Sequence, residues 1–202
     1  MELQAVSKRE ITRDDIMPLD DYEKVRDQRR AAVTALKRNR RLSVGPDVTF
    51  YFENFDTMWH QIHEMLRIEK GGEAQIEDEL SAYAPLIPDG SNLVATMMIE
   101  IEEPVRRSRV LAELGGIEEA VTLTIDGDTI AAVPEEDVER TTEAGKTSSV
   151  HFLKFPFAPQ QRQALKQPGT RAVLSVTHAK YDHMAALPEA VRAALAADLD
   201  DR

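Results

Sequence analysis

The stretch Leu93-Val94-Ala95-Thr96-Met97-Met98-Ile99-Glu100-Ile101 decides how this chain is read. Successive residues of a strand point to opposite faces of its sheet. Leu93, Ala95, Met97, Ile99 and Ile101 make one side, and Val94, Thr96 and Met98 the other, so both sides are largely apolar. A strand that water reaches on neither face is a central strand with a layer packed on each side.

Upstream the pattern is helical. Thr12 with Asp15 resembles a short capping box. Pro18, Asp20 and Asp21 mark the first turn of a helix predicted to run to about Asn39, with Tyr22, Val25, Val33 and Leu36 as its apolar stripe. After a Gly45-Pro46 turn, Val48 to Phe52 reads as a strand. Asn54 or Asp56 caps a second helix, which Gly71-Gly72 ends. Its stripe is Phe55, Met58, Ile62, Met65 and Leu66, with Trp59 at the margin. A third helix covers Glu73 to Tyr83, and Pro85 and Pro88 stop it.

Downstream the pattern turns mainly to strands. A short helix from Pro104 to Leu114 closes at Gly115-Gly116. Val121, Leu123 and Ile125 alternate into Asp126-Gly127, a hairpin signal, and Thr129 to Val133 returns. The polar stretch 135–146 is expected to be a loop. A strand from Val150 to Phe155, a helix from Gln160 to Lys166, a strand from Ala172 to Thr177 and a helix from Pro188 to Leu199 follow. The expectation is an α+β fold, a mixed or mostly antiparallel sheet packed against helices. One compact domain over 1–202 suits the length, helix-rich to about 90 and sheet-rich beyond.

Composition narrows the function classes. The chain has no cysteine, which removes disulfides, thiolate nucleophiles and Cys-ligated metal centres. No apolar run approaches the ~20 residues of a membrane span, and Met1 to Ala5 lacks the layout of a signal peptide. The expected location is therefore the cytoplasm. Net charge is -11, split as +3 over residues 1–45 and -14 over the rest. An acidic body disfavours nucleic acid and anionic membrane as partners. The run Lys37-Arg38-Asn39-Arg40-Arg41 reads as the cationic end of a helix, since no aromatic stacking platform accompanies it. Neither G-x-G-x-x-G, G-x-x-x-x-G-K-[ST] nor G-x-S-x-G occurs.

Two constellations remain. On the second helix His60, His63 and Glu64 stand at i, i+3 and i+4, a spacing that lets side chains converge on one divalent metal ion. With Met58 at zero and 100° per residue, they fall at about 140–240°, away from the apolar stripe. The plain alternative is a solvated polar face. The two histidines lie three apart, so the zinc-protease motifs do not apply. Glu69, by contrast, falls inside the apolar stripe, and Arg26 and Arg29 fall on that of the first helix. Charges on core faces must be paired, because an unpaired buried ion costs several kcal/mol. Arg26 or Arg29 is therefore expected to meet Glu69, with Glu53 alongside, as an ion-pair network or as a polar ligand pocket. His178, Tyr181 and His183, after a buried strand, are weaker candidates.

Arg40-Arg41 to Gly45, Phe52-Glu53-Asn54, Gln61 to Arg67, Glu69, Glu79-Leu80, Tyr83, Leu86-Ile87-Pro88 and Ala95-Thr96-Met97 carry a resemblance over nearly the whole chain. They resemble a bacterial family, domain of unknown function family 3501. The resemblance implies no established activity. Its genes are described beside rubrerythrin-like di-iron proteins and iron–sulfur oxidoreductases, which implies a partner role in redox or oxidative-stress biology. Two readings result. One is an accessory or interaction protein, in a form that includes a homodimer, acting beside a redox protein. The other is a metal- or small-ligand-binding protein, an enzyme among the options, with a carboxylate/arginine pocket in the N-terminal half.

Overall fold

A computed structural model describes residues 8–135 and 145–200. The expected loop 135–146 thus lies mostly outside the described residues. The first half contains α1 (Leu19–Lys37), β1 (Arg41–Val44), β2 (Val48–Phe52), α2 (Phe55–Glu69) and α3 (Glu73–Tyr83). Then come β3 (Asn92–Ile99), α4 (Pro104–Glu113), β4 (Val121–Ile125), β5 (Asp128–Ala131) and β6 (Val133–Pro134). The chain continues through β7 (Val150–Pro156), α5 (Pro159–Lys166), β8 (Ala172–His178), β9 (Tyr181–Ala186) and α6 (Glu189–Ala196). The fold is α+β.

The strands form two antiparallel sheets, ordered β1-β2-β3-β7-β6 and β5-β4-β8-β9. β3 lies third of five, as its two apolar faces demand. One of those faces packs on the second sheet. Phe50, Phe52, Leu93, Met97, Leu153 and Phe155 from one sheet meet Leu123, Ile125, Leu174 and Val176 from the other in one buried cluster. The opposite face carries the N-terminal helices: Val94 and Phe152 pack with Tyr22, Met58, Trp59, Ile62 and Ile76.

Local chemistry sets the turns. Asp126 and Gly127 both take positive φ, 47° and 93°, as a tight hairpin turn requires. Two strands escaped sequence reading. β1 is four residues long, and its register with β2 runs from Arg41–Tyr51 to Val44–Val48. β9 occupies the segment after β8 that holds Tyr181 and His183. Its first residue, Tyr181, joins the sheets: its hydroxyl accepts from the Asp47 and Val48 amides at 3.0 Å each and donates to the Val44 carbonyl at 2.7 Å. Gly45 (φ 73°) lies so close beneath it that an added Cβ would stand 2.6 Å from the phenol oxygen.

Candidate functional site

Helix α2 starts where Asn54 accepts from the Thr57 amide at 3.0 Å. Its apolar stripe faces the sheet, and α1 covers the face bearing His60, Glu64 and Arg67. That face is half-buried beneath α1. Arg26 of α1 grips Glu64 with two hydrogen bonds of 2.8 Å, and Arg67 donates to Glu23 at 2.6 Å. The Tyr22 hydroxyl donates to Glu64 at 2.7 Å and lies 3.1 Å from His60 Nδ1. The Arg26 hydrogen bonds hold the Glu64 carboxyl far below its usual range, at about 2, with Tyr22 helping against the cost of burial. Burial together with the Glu64 hydrogen bond keeps the Tyr22 phenol protonated.

His63 is committed on both nitrogens. Nδ1 donates to the Trp59 carbonyl at 2.7 Å, and Nε2 accepts the Met17 amide at 3.1 Å. This assigns the neutral Nδ1–H tautomer. The ring lies 3.8 Å from Trp59 and 4.8 Å from Tyr22, centroid to centroid. Burial lowers the pKa of His63, and also that of His60. The Trp59 indole N–H donates to the Asp15 carbonyl at 2.8 Å. Trp59 and His63 together therefore fasten the segment 15–17 across α2.

The expected arginine–glutamate pocket is not assembled. Arg26 pairs with Glu64, and Arg29 lies 4.7 Å over the Trp59 ring. Glu53 is buried, held at 2.7 Å by the hydroxyls of Thr57 and Thr96. Glu69 is exposed and accepts from Gln75 at 2.9 Å. The reason is geometric: Glu69 is the last residue of α2, where the helix has run past the layer its stripe covers. Nor do His60, His63 and Glu64 converge. Among the described residues no group of three or more His, Asp or Glu side chains is arranged to hold a metal ion. His178 caps the β8–β9 turn, with Nδ1 accepting the Lys180 amide at 3.2 Å and Nε2 3.2 Å from the Gly115 carbonyl.

Two features carried no simple sequence signal. Arg40 and Asp198, far apart in the chain, form a buried ion pair. Arg40 also donates to the Phe52 and Glu53 carbonyls at 3.0 Å each. The second feature is a cleft of about 430 Å³ between the 13–22 segment and the α2–α3 junction. Met17, Leu19, Tyr22, Leu66 and Ile76 supply apolar walls, and Arg13, Lys70, Glu73 and His63 the polar groups. Arg13 and Glu73 pair across it through bonds of 2.7 and 2.9 Å. Its walls come from two stretches, 13–22 and 63–76, about forty residues apart in the chain, which is why no motif announces it.

Fold and site define a class: an all-antiparallel two-sheet protein whose helical layer carries a small apolar cleft beside a Tyr–Glu–Arg network. The chain belongs to the family described as protein of unknown function (DUF3501), whose model matches residues 10–199. It is similar to a solved structure, at 1.90 Å resolution, of a novel protein of unknown function from Burkholderia pseudomallei K96243. The two are 44% identical, the match covers 94% of this chain and 99% of that one, and the TM-score is 0.87. No curated protein matches the chain. Among the described residues no helix is long and apolar enough to cross a membrane.

Proposed function

We propose that this chain is a small-ligand-binding protein whose site is the cleft between the 13–22 segment and the α2–α3 junction. The observation that carries the reading is the cleft itself. Its volume of about 430 Å³ falls in the usual range for ligand sites, and apolar walls with a few polar groups are the usual composition. The Trp59–His63–Met17 linkage holds one wall in place before any ligand arrives, which lowers the ordering cost of binding. The Tyr22 hydroxyl at the cleft is kept protonated by burial and by its hydrogen bond to Glu64, so binding and not turnover is the function proposed.

The accessory-protein reading, with a redox partner or a second copy, has less support. It calls for a contiguous exposed apolar patch. Among the described residues the most exposed large apolar side chains, Ile68, Val105 and Met184, stand on three different elements, α2, α4 and β9. A cytoplasmic setting suits either reading, given a chain without cysteine.

A fragment screen by ligand-observed NMR tests the proposal. Fragments should bind the natural chain and lose binding to Leu66→Phe, which narrows the cleft. A screen without hits, or hits indifferent to Leu66→Phe in a variant that keeps its unfolding midpoint, would count against the cleft.

A further inference from the structure

The polar groups around the cleft carry a sign. Arg13 and Lys70 are cationic and Glu73 is anionic. His63 is neutral, because one ring nitrogen donates and the other accepts. The cleft lining is therefore +1 inside a chain of net charge -11. Glu73 already occupies Arg13, whereas Lys70 has no ion-pair partner among the described residues. One cation is left over, beside walls made by Met17, Leu19, Leu66 and Ile76.

Resting on the cleft reading above, we propose that the ligand is an amphipathic monocarboxylate, its apolar body against Leu19, Leu66 and Ile76 and its carboxylate on Lys70. The volume sets the size: at ~30 Å³ per water-sized group the cleft holds about 14 of them. A body of eight to ten carbons therefore fits. The charge sets the head group. A phosphate dianion would ask for more cations than one unpaired lysine supplies, and a cationic head would meet Lys70 and Arg13. The Arg13–Glu73 pair is exposed, so the bound carboxylate also competes with Glu73 for Arg13. Removing the Glu73 charge should then strengthen binding, which a site for a cation would never show.

The chain contains one tryptophan, so Trp59 gives a single indole N–H signal in a ¹H–¹⁵N spectrum. That group stacks on His63, which lines the cleft. Titrating the full chain with octanoate, 1-octanol and octylammonium and following this signal tests the proposal. Octanoate should bind with a Kd on the order of 1 mM, as befits so small a ligand, and at least about fivefold more tightly than octanol. Lys70→Gln should weaken octanoate about fivefold and leave octanol unchanged. Glu73→Gln should strengthen octanoate about threefold, and added salt should weaken octanoate alone. Octanol or octylammonium binding as tightly as octanoate would overturn the carboxylate assignment and leave the cleft as a ligand site. No movement of the Trp59 signal with any of the three would overturn both.

Discussion

The two faces of the sheet β1-β2-β3-β7-β6 solve the same burial problem in different ways. Towards the second sheet the contact is mostly hydrocarbon, with Phe50, Leu93, Met97 and Phe155 fully buried and His151, beside Thr147, a buried polar exception. Towards α1–α3 the packing is threaded with polar groups: Glu53 between Thr57 and Thr96, His63 between Trp59 and Met17, Glu64 between Tyr22 and Arg26. Hydrocarbon contacts are non-directional and tolerate change provided volume is kept. Hydrogen-bonded partners fix positions, because each buried group left unpaired costs about 1–3 kcal/mol. The first face supplies bulk stability. The second holds the cleft walls in register, and ligand sites need that kind of rigidity.

Substitutions on the two faces should therefore fail differently. The largest effect is expected from Phe50→Ala on the sandwich side, about 3–5 kcal/mol by urea unfolding, with the cleft unaffected in the surviving native state. Arg40→Met comes next, at about 3 kcal/mol or more, because Asp198 would be left buried without its cation. Burial pushes the Asp198 carboxyl up, with Arg40 pulling against it. Much of that loss should therefore return at low pH, where the orphaned acid can take a proton. An Arg40→Met protein whose stability deficit stays constant from pH 7 to pH 4 would show that the pair is not buried as described.

On the helical side the effects are smaller and local. His63→Phe keeps the stacked ring but leaves the Met17 amide without an acceptor, a cost of about 1–3 kcal/mol. Hydrogen exchange should report faster opening of residues 15–17, with β3 and β8 unchanged. The same variant should alter the pH dependence. His63 has its pKa lowered by burial, so below the ordinary histidine range the unfolded chain takes up a proton that the folded one refuses. The contribution is complete above about pH 6.5 and is lost as pH falls below it. His60 acts with the same sign, so His63→Phe should flatten that part of the profile without abolishing it.

Glu64→Gln probes a lower pH window. The Glu64 carboxyl has its pKa depressed from 4.5 to about 2, so its contribution is present above about pH 4.5 and fades as pH falls towards 2. The variant should be less stable at neutral pH and lose less on acidification over that window. A variant whose acid limb matched the natural chain's would place the Arg26 grip outside the folded state's energetics. Last, protein purified without chelator or affinity-tag metal should carry iron, zinc and manganese well below one per chain by elemental analysis. His63 has no lone pair to offer unless the Met17 amide is released. A full equivalent of any of these metals would reverse that assignment.

Much of the architecture could be read from local pattern, because periodicity is a local property. The double apolar alternation of Leu93 to Ile101 called for a layer on each side of one strand, and the Asp126-Gly127 turn declared its hairpin. The absence of cysteine likewise bounded the chemistry before any fold was known. Tertiary structure alone decided which faces meet. The polar face of α2 has the same sequence signature whether water or another helix covers it; α1 covers it, and so Arg26 meets Glu64 and not Glu69. Arg40 finding Asp198, and Tyr181 closing the turn at Gly45, depend on long-range docking that no spacing encodes. A burial pattern specifies that a surface must be covered, whereas the identity of the partner follows from the packing of the whole chain.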